Sequence, residues 1–303
     1  MTAPTVERLD ALMESDPTVA PLAALYATAF RAASAPFWSD SVPFLQRDKV
    51  DAGKPLLHKS RVNIDAQRVL SLMRELAAVA IQAGVAEAEP LREALGGGTF
   101  RRPTDVDAVV LLEASITGDS ERLEVIAGEA GVDMSLLATI AHIATLPLLL
   151  AIGREAAPVL KGVKWDRGYC PLCAAWPTLA EVRGLEQRRW LRCGRCAIAW
   201  SFPHHGCTFC GNRDHRTLGY LAPEGEHESR QAITCGRCHS YLKSFAVISP
   251  LTPEAIALKD LTTLELDMAA LDRGYARPTA PGFPLKVRLE PVERRFGWLP
   301  WGR

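Results

Sequence analysis

No cysteine occurs before Cys170 or after Cys238, and no net charge remains, since 35 Lys+Arg balance 35 Asp+Glu over 303 residues. That balance gives the whole chain no electrostatic footprint for nucleic acid or an anionic membrane. The opening MTAPTVERLDALMESD is acidic and lacks an apolar centre, so a secretory signal is not expected. Neither a phosphate-cradling loop of the P-loop or dinucleotide type nor a Gly-x-Ser-x-Gly elbow is found. GGGTFRR, residues 96–102, lacks the Lys-Ser/Thr and the preceding strand of a phosphate loop and reads as a connector. Long apolar runs are also scarce. The one that approaches membrane-spanning length, Leu136 to Gly153, contains His142 and Pro147 and reads as a buried helix. These absences point to a cytoplasmic protein without membrane insertion, in a compartment that disfavours structural disulfides.

What is present is segregated. Residues 1–160 carry 14 Lys+Arg against 21 Asp+Glu, and residues 161–250 carry 13 against 7. Every cysteine lies in the basic part. The length suits about two domains, and 48% hydrophobic residues suits a globular chain.

The acidic part has helical periodicity. APLAALYATAFRAA places Leu22, Leu25, Tyr26, Ala29 and Phe30 on one face, and NIDAQRVLSLMRELAAVAIQAG repeats the pattern. Asn63 is expected to cap the second helix and Gly84 to stop it. Thr104 with Asp107 reads as a capping box closed by Gly118, and Asp133 as the cap of the long apolar helix. No catalytic constellation emerges, so the chain is expected not to be an enzyme. His58 and His142 stand alone and read as packed or solvated residues.

The eight cysteines form four Cys-x-x-Cys pairs: Cys170/Cys173, Cys193/Cys196, Cys207/Cys210 and Cys235/Cys238. The intervals between pairs are long, short, long. They fit two consecutive units of knuckle, hairpin and knuckle, each completing a tetrahedral four-thiolate metal site. The repeat extends to a Thr-Leu step after each first knuckle and to CGRC as each second knuckle, which marks internal duplication. Four thiolates close a tetrahedron, so His204, His205, His215, His227 and His239 are not needed as ligands. Ligand chemistry leaves zinc and iron open. Two other readings stand beside metal ligation in an interaction protein. One is a zinc-ribbon nucleic-acid binder using Arg183, Arg188, Arg189, Arg192 and Arg195 with Trp190 and Trp200. The other is a rubredoxin-like or dithiol redox protein.

YCPLC, LRCGRC, CTFCG and TCGRCHSYLK, followed by DLTTLELD…GYAR, resemble the formate dehydrogenase accessory protein family FdhE over nearly the whole chain. The resemblance implies a multihelical domain, residues 1–164, two rubredoxin-like modules, 165–204 and 205–250, and a C-terminal helix and tail, 251–303, packing back. It implies two metal ions, one on Cys170, Cys173, Cys193 and Cys196, the other on Cys207, Cys210, Cys235 and Cys238, with iron favoured over zinc. It also implies a non-catalytic role in maturing respiratory formate dehydrogenase, with the catalytic subunit of that twin-arginine-exported enzyme as partner and nucleic acid disfavoured. The C-terminal helix is expected from a Thr252–Pro253 cap, with Asp260 and Asp267 on its exposed face or, as the alternative, paired with arginines of the metal modules. Arg195 and Arg237, central in the two CGRC knuckles, are expected to be exposed. A groove between the helical and metal-binding parts is the expected partner surface.

Overall fold

The computed structural model describes residues 3–96, 106–184, 186–225 and 228–292. Helices fill the first half: α1 (Ala3–Ser15), α2 (Ala20–Ala32), the short α3 (Arg47–Asp51), α4 (Ala66–Gln82), α5 (Ala88–Ala94), α6 (Ala108–Thr117), α7 (Ser120–Ala130), α8 (Met134–Ala144) and α9 (Leu146–Leu160). One strand, β1 (Ser60–Ile64), interrupts them between α3 and α4. The helices share one apolar core containing Leu25, Phe30, Met73, Leu76, Leu111, Ile140 and Leu149.

Several boundaries differ from expectation for local reasons. Asn63 does not cap α4. It lies in β1, where Ser60, Val62 and Ile64 face inward with the period of two that a half-buried strand requires. Asp65 is the cap, accepting from the N–H groups of Gln67 and Arg68. Asp107 caps α6 through the Val109 and Val110 N–H groups, and Gly118 ends that helix in the left-handed region. Thr104 lies outside the described residues. Asp133 caps α8 as expected. The apolar stretch from Met134 to Leu160 is long enough to cross a membrane, but 78% of its most apolar window is buried. It is two helices, broken at Thr145 just ahead of Pro147, which starts the second without needing an N–H.

The cysteine region forms one sheet. The strands β2 (Leu179–Arg183), β3 (Arg188–Arg192) and β4 (Ala199–Ser201) belong to the first repeat. Those of the second are β5 (Leu218–Leu221), β6 (Arg230–Cys235) and β7 (Ser240–Val247). Their order is β4-β3-β2-β7-β6-β5, antiparallel within each repeat and parallel at the β2–β7 seam, where Leu179 lies opposite Lys243. The first strand of one module is therefore zipped to the last strand of the other, and the two share a hydrogen-bonded ladder.

The C-terminal segment is two helices, α10 (Pro253–Leu261) and α11 (Leu264–Leu271). The break falls at Thr262 and Thr263, whose hydroxyls donate back to the Leu258 and Lys259 carbonyls, a pattern that bends helices. It lets α10 pack on α1 and α2 while α11 packs on β5, β6 and β7. The chain then returns as β8 (Val287–Pro291), paired in parallel with β1.

Asp260 and Asp267 are not on an exposed face. Lys243, 0% exposed, is the charge they serve. Its Nζ lies 2.7 Å from Asp260 Oδ1 and 2.7 Å from Asp267 Oδ2. Arg277 reaches the same two carboxylates at 2.6 and 3.0 Å, and the Tyr241 hydroxyl donates to Asp267 at 2.6 Å. Two cations and two anions thus neutralise one another where α10, α11 and β7 meet. Burial alone would raise the Asp267 carboxyl, but the Lys243 and Tyr241 hydrogen bonds outweigh it and hold it low.

Replacing Lys243 with Met leaves Arg277 as the one cation for two part-buried carboxylates and should cost about 1–3 kcal/mol, read by urea unfolding. The depressed Asp267 also fixes the sign of the acid response. Its stabilisation is complete above the unfolded carboxyl value of about 3.9 and is lost as pH falls through the lower folded value. Wild type should lose more stability on acidification than Asp267→Asn.

Candidate metal centres

Four knuckles with one backbone geometry present the eight thiols. In each, the N–H four residues after the first cysteine donates to that cysteine's carbonyl: Ala174 to Cys170, Ala197 to Cys193, Gly211 to Cys207 and His239 to Cys235, at 2.8–3.0 Å. In three of them the first cysteine's N–H also donates to the carbonyl five residues on, at Ala175, Ile198 and Asn212. This tight turn forces the residue after the second cysteine to positive φ, +62° at Ala174, +60° at Ala197, +71° at Gly211 and +53° at His239. Only one of the four is the glycine that this region favours, so the other three hold a strained conformation.

The sulfurs gather as two groups of four: Cys170, Cys173, Cys193 and Cys196, and Cys207, Cys210, Cys235 and Cys238. All eight are free thiols. Within the first group, Cys170–Cys196 and Cys173–Cys193 are 3.5 Å apart and Cys173–Cys196 3.7 Å. Within the second, Cys207–Cys238 and Cys210–Cys235 are 3.6 and 3.8 Å apart. A tetrahedron with metal–sulfur bonds of about 2.3 Å has sulfurs about 3.8 Å apart. The spacing fits a four-thiolate ion, and either tetrad could hold one.

Local donors prepare the thiolates. The Leu172 N–H points at Cys170 Sγ at 3.4 Å, and the Asn212 amide reaches Cys235 Sγ at 3.7 Å. Burial would raise Cys235, but the N–H groups of Cys238 and Arg237 and the Asn212 amide bring it down to about 7. In the first tetrad burial dominates and pushes Cys170 and Cys196 well up, while the neighbouring thiols hold Cys193 well down.

The tetrads differ in surroundings. The first is buried throughout and belongs to the same apolar core as the helices, beside Trp165 and Trp200. The second lies outside that core, with Cys210 exposed and Cys238 half-buried. Backbone contacts dock the parts together. A Cβ on Gly153 of α9 would stand 2.1 Å from the Cys196 carbonyl oxygen, so the helix lies directly on the first module's second knuckle. A Cβ on Gly168 would stand 1.7 Å from the Thr208 carbonyl, which brings the modules equally close. The short segment carrying Pro158, Gly162 and Gly168 predicts that the parts sit close, but Gly153 does not stand out in the sequence, because close approach between distant segments leaves no local pattern.

The arginines offered for phosphate binding are mostly committed within the protein. Arg189 is buried and donates to the Gly206 carbonyl and the Thr208 hydroxyl at 3.0 and 2.7 Å, bridging the modules. Arg192 pairs with the buried Glu181 at 2.5 Å and donates to the Leu251 carbonyl at 2.7 Å. Arg183 shares Glu181. Arg188, exposed, pairs with Glu186 at 2.6 Å. Arg195 is not exposed as expected. It donates to the Ser115 carbonyl at 2.9 Å, in the last turn of α6, while Arg237 is exposed. Trp200 is buried and Trp190 half-buried.

The histidines stay outside both tetrads. Burial and the Arg195 charge push His142 down to about 3, leaving it neutral. His58 accepts from the Lys286 N–H and sits edge-on to Phe283. His204, His205, His215 and His239 are exposed, and His227 lies outside the described residues.

Comparison with known proteins joins these observations. Residues 206–283, which span the second module, α10, α11 and Arg277, match the family model described as FdhE, C-terminal domain. That stretch is similar to FdhE. A protein FdhE homolog of Stutzerimonas stutzeri is 35% identical over 116 residues, 37% of this chain and 37% of that relative. One of Aquifex aeolicus is 29% identical over 120 residues, 38% and 41% of the two chains. The matched stretch is thus about two fifths of these curated FdhE relatives. The crystal structure of the FdhE protein from Pseudomonas aeruginosa extends the likeness in fold. It has a TM-score of 0.57 and 23% identity, and the match covers 92% of this chain and 93% of that one. The architecture of helices followed by two rubredoxin-like modules is therefore the FdhE fold.

Two outcomes follow. Loaded with Zn²⁺, the chain should yield one equivalent quickly to a chromogenic chelator and the second only on unfolding. Cys210→Ser should remove the fast equivalent alone. Ala197→Gly should relieve left-handed strain of about 1–2 kcal/mol, part of which the greater freedom of the unfolded glycine chain offsets. A small net rise in the urea midpoint at unchanged metal content is expected.

Proposed function

We propose that this chain is a cytoplasmic, non-catalytic accessory protein that binds the catalytic subunit of a twin-arginine-exported formate dehydrogenase and is needed for its maturation. Two metal ions hold its C-terminal half. Cys170, Cys173, Cys193 and Cys196 ligate one, and Cys207, Cys210, Cys235 and Cys238 the other. Iron is favoured and zinc is the alternative. The working units are residues 1–164, 165–204, 205–250 and 251–303.

The observation that carries this reading is the pair of sulfur tetrads set in an FdhE-like fold. A nucleic-acid role is less well supported, because all five arginines it needs are tied to protein carbonyls or carboxylates, and only Arg188 among them is exposed. The exposure of Cys210 favours one second reading, electron transfer at the second tetrad. A red colour bleached by dithionite and restored by air would identify iron and support it.

The deciding experiment is co-purification with a formate dehydrogenase catalytic subunit. Wild type should retain the subunit. Cys193→Ser should lose it together with one metal ion, since ligation supplies much of the folding free energy of so small a module. Arg237→Ala should weaken retention at full metal content, whereas Arg195→Ala should lower thermal stability instead. Full formate dehydrogenase activity in cells carrying only Cys193→Ser would overturn the reading.

A further inference from the structure

An open cleft of about 1100 Å³ lies between α9, the first module and the start of α10. Phe30, Leu150, Val163, Trp165, Trp190 and Trp200 supply its apolar walls. Two polar groups inside it lack partners. Glu254, in the first turn of α10, lines the cleft and is 6% exposed; its carboxylate oxygens reach the cleft's solvent, and no donor among the described residues bonds them. Arg192, its side chain 5% exposed, also lines the cleft, and its Nε has no acceptor. A buried guanidinium N–H without an acceptor is costly, and a carboxylate in a largely apolar cleft favours a cation over water. The α10 dipole favours an anion where Glu254 sits, but the cap hydrogen bond to the Ala255 N–H is already taken by Thr252. At the mouth, Arg154 and Lys161 are exposed, and no carboxylate pairs with them among the described residues.

We infer that this cleft binds an apolar peptide segment of a partner protein, with one cationic side chain entering to Glu254 and acidic flanks meeting Arg154 and Lys161. Tryptophan faces and a carboxylate lining one cleft both attract an ammonium or guanidinium group. The Arg192 guanidinium is neutralised by Glu181, but its Nε–H has no acceptor and is placed to donate to a carbonyl of the bound segment. The cations at the mouth oppose a polybasic ligand, and Glu254 opposes a phosphate backbone. The inference deepens the accessory-protein reading by giving its partner surface a ligand chemistry.

The test uses the full metal-loaded chain and two short fluorescein-labelled peptides, both apolar with a glutamate at each end. One has a central lysine, the other norleucine in its place. Fluorescence anisotropy should show the lysine peptide binding about tenfold tighter to wild type. Glu254→Gln should erase that preference. Ala157→Trp, at an exposed position on the cleft wall, should weaken both peptides about tenfold at unchanged metal content. Equal binding of the two peptides to wild type, a comparison that needs no variant, overturns the inference. So does a preference that survives in Glu254→Gln, or displacement by oligothymidylate. If peptide selectivity holds while the formate dehydrogenase subunit is not retained, the cleft stands and the partner's name falls. The converse result removes the cleft alone.

Discussion

Four sulfur atoms held 3.5–3.8 Å apart cannot all carry negative charge unless a cation sits among them. That constraint governs the C-terminal half of the protein. The hairpins are short, and the second repeat buries little apolar surface of its own. The knuckles accept left-handed backbone at two alanines and a histidine to bring the thiols together. Such strain persists only where the surroundings over-determine it. Buried arginines around the sites serve the same arrangement by tying knuckle to strand and module to module.

The first tetrad is also a keystone between domains. Gly153 brings the α9 backbone onto the Cys196 knuckle, and Arg195 reaches from that knuckle to the last turn of α6. A metal site in this setting shares its packing with the helical core. The second tetrad is backed by the sheet and by Gly168 and Arg189 of the first module, and its Cys210 faces solvent. One sequence motif, written twice, therefore sits in two chemical environments, and the difference comes from what the fold lays against each copy.

The sequence was most legible where function needs a fixed spacing. The four Cys-x-x-Cys pairs, the duplicated module and the caps at Asp133, Gly118 and Thr252 could be read directly, because each is a local rule. Long-range pairings were not legible. β1 was hidden ahead of a strong helical pattern, and its alternation over five residues is too short to stand out. The charge on Lys243, inside the run SYLKSF, gave no sign that it is buried and named no partner. Asp260 and Asp267 looked solvated because the Thr262–Thr263 break, which turns them inward, is invisible to a helical-wheel argument. Arg195 and Arg237 occupy equivalent positions in the repeat, yet only one is covered. A repeat cannot say which of its copies the rest of the chain will lie against.

The pairing of β8 with β1 has a consequence for the order of events at the ribosome. These strands are neighbours in space but lie on either side of the whole cysteine region. The helical part cannot complete its edge until synthesis has passed Pro291. By then every thiol has emerged, so both modules can capture metal while β1 still waits for its mate. Closure of so long a loop is entropically slow. Among the described strands, β1 is thus the one whose partner is made last.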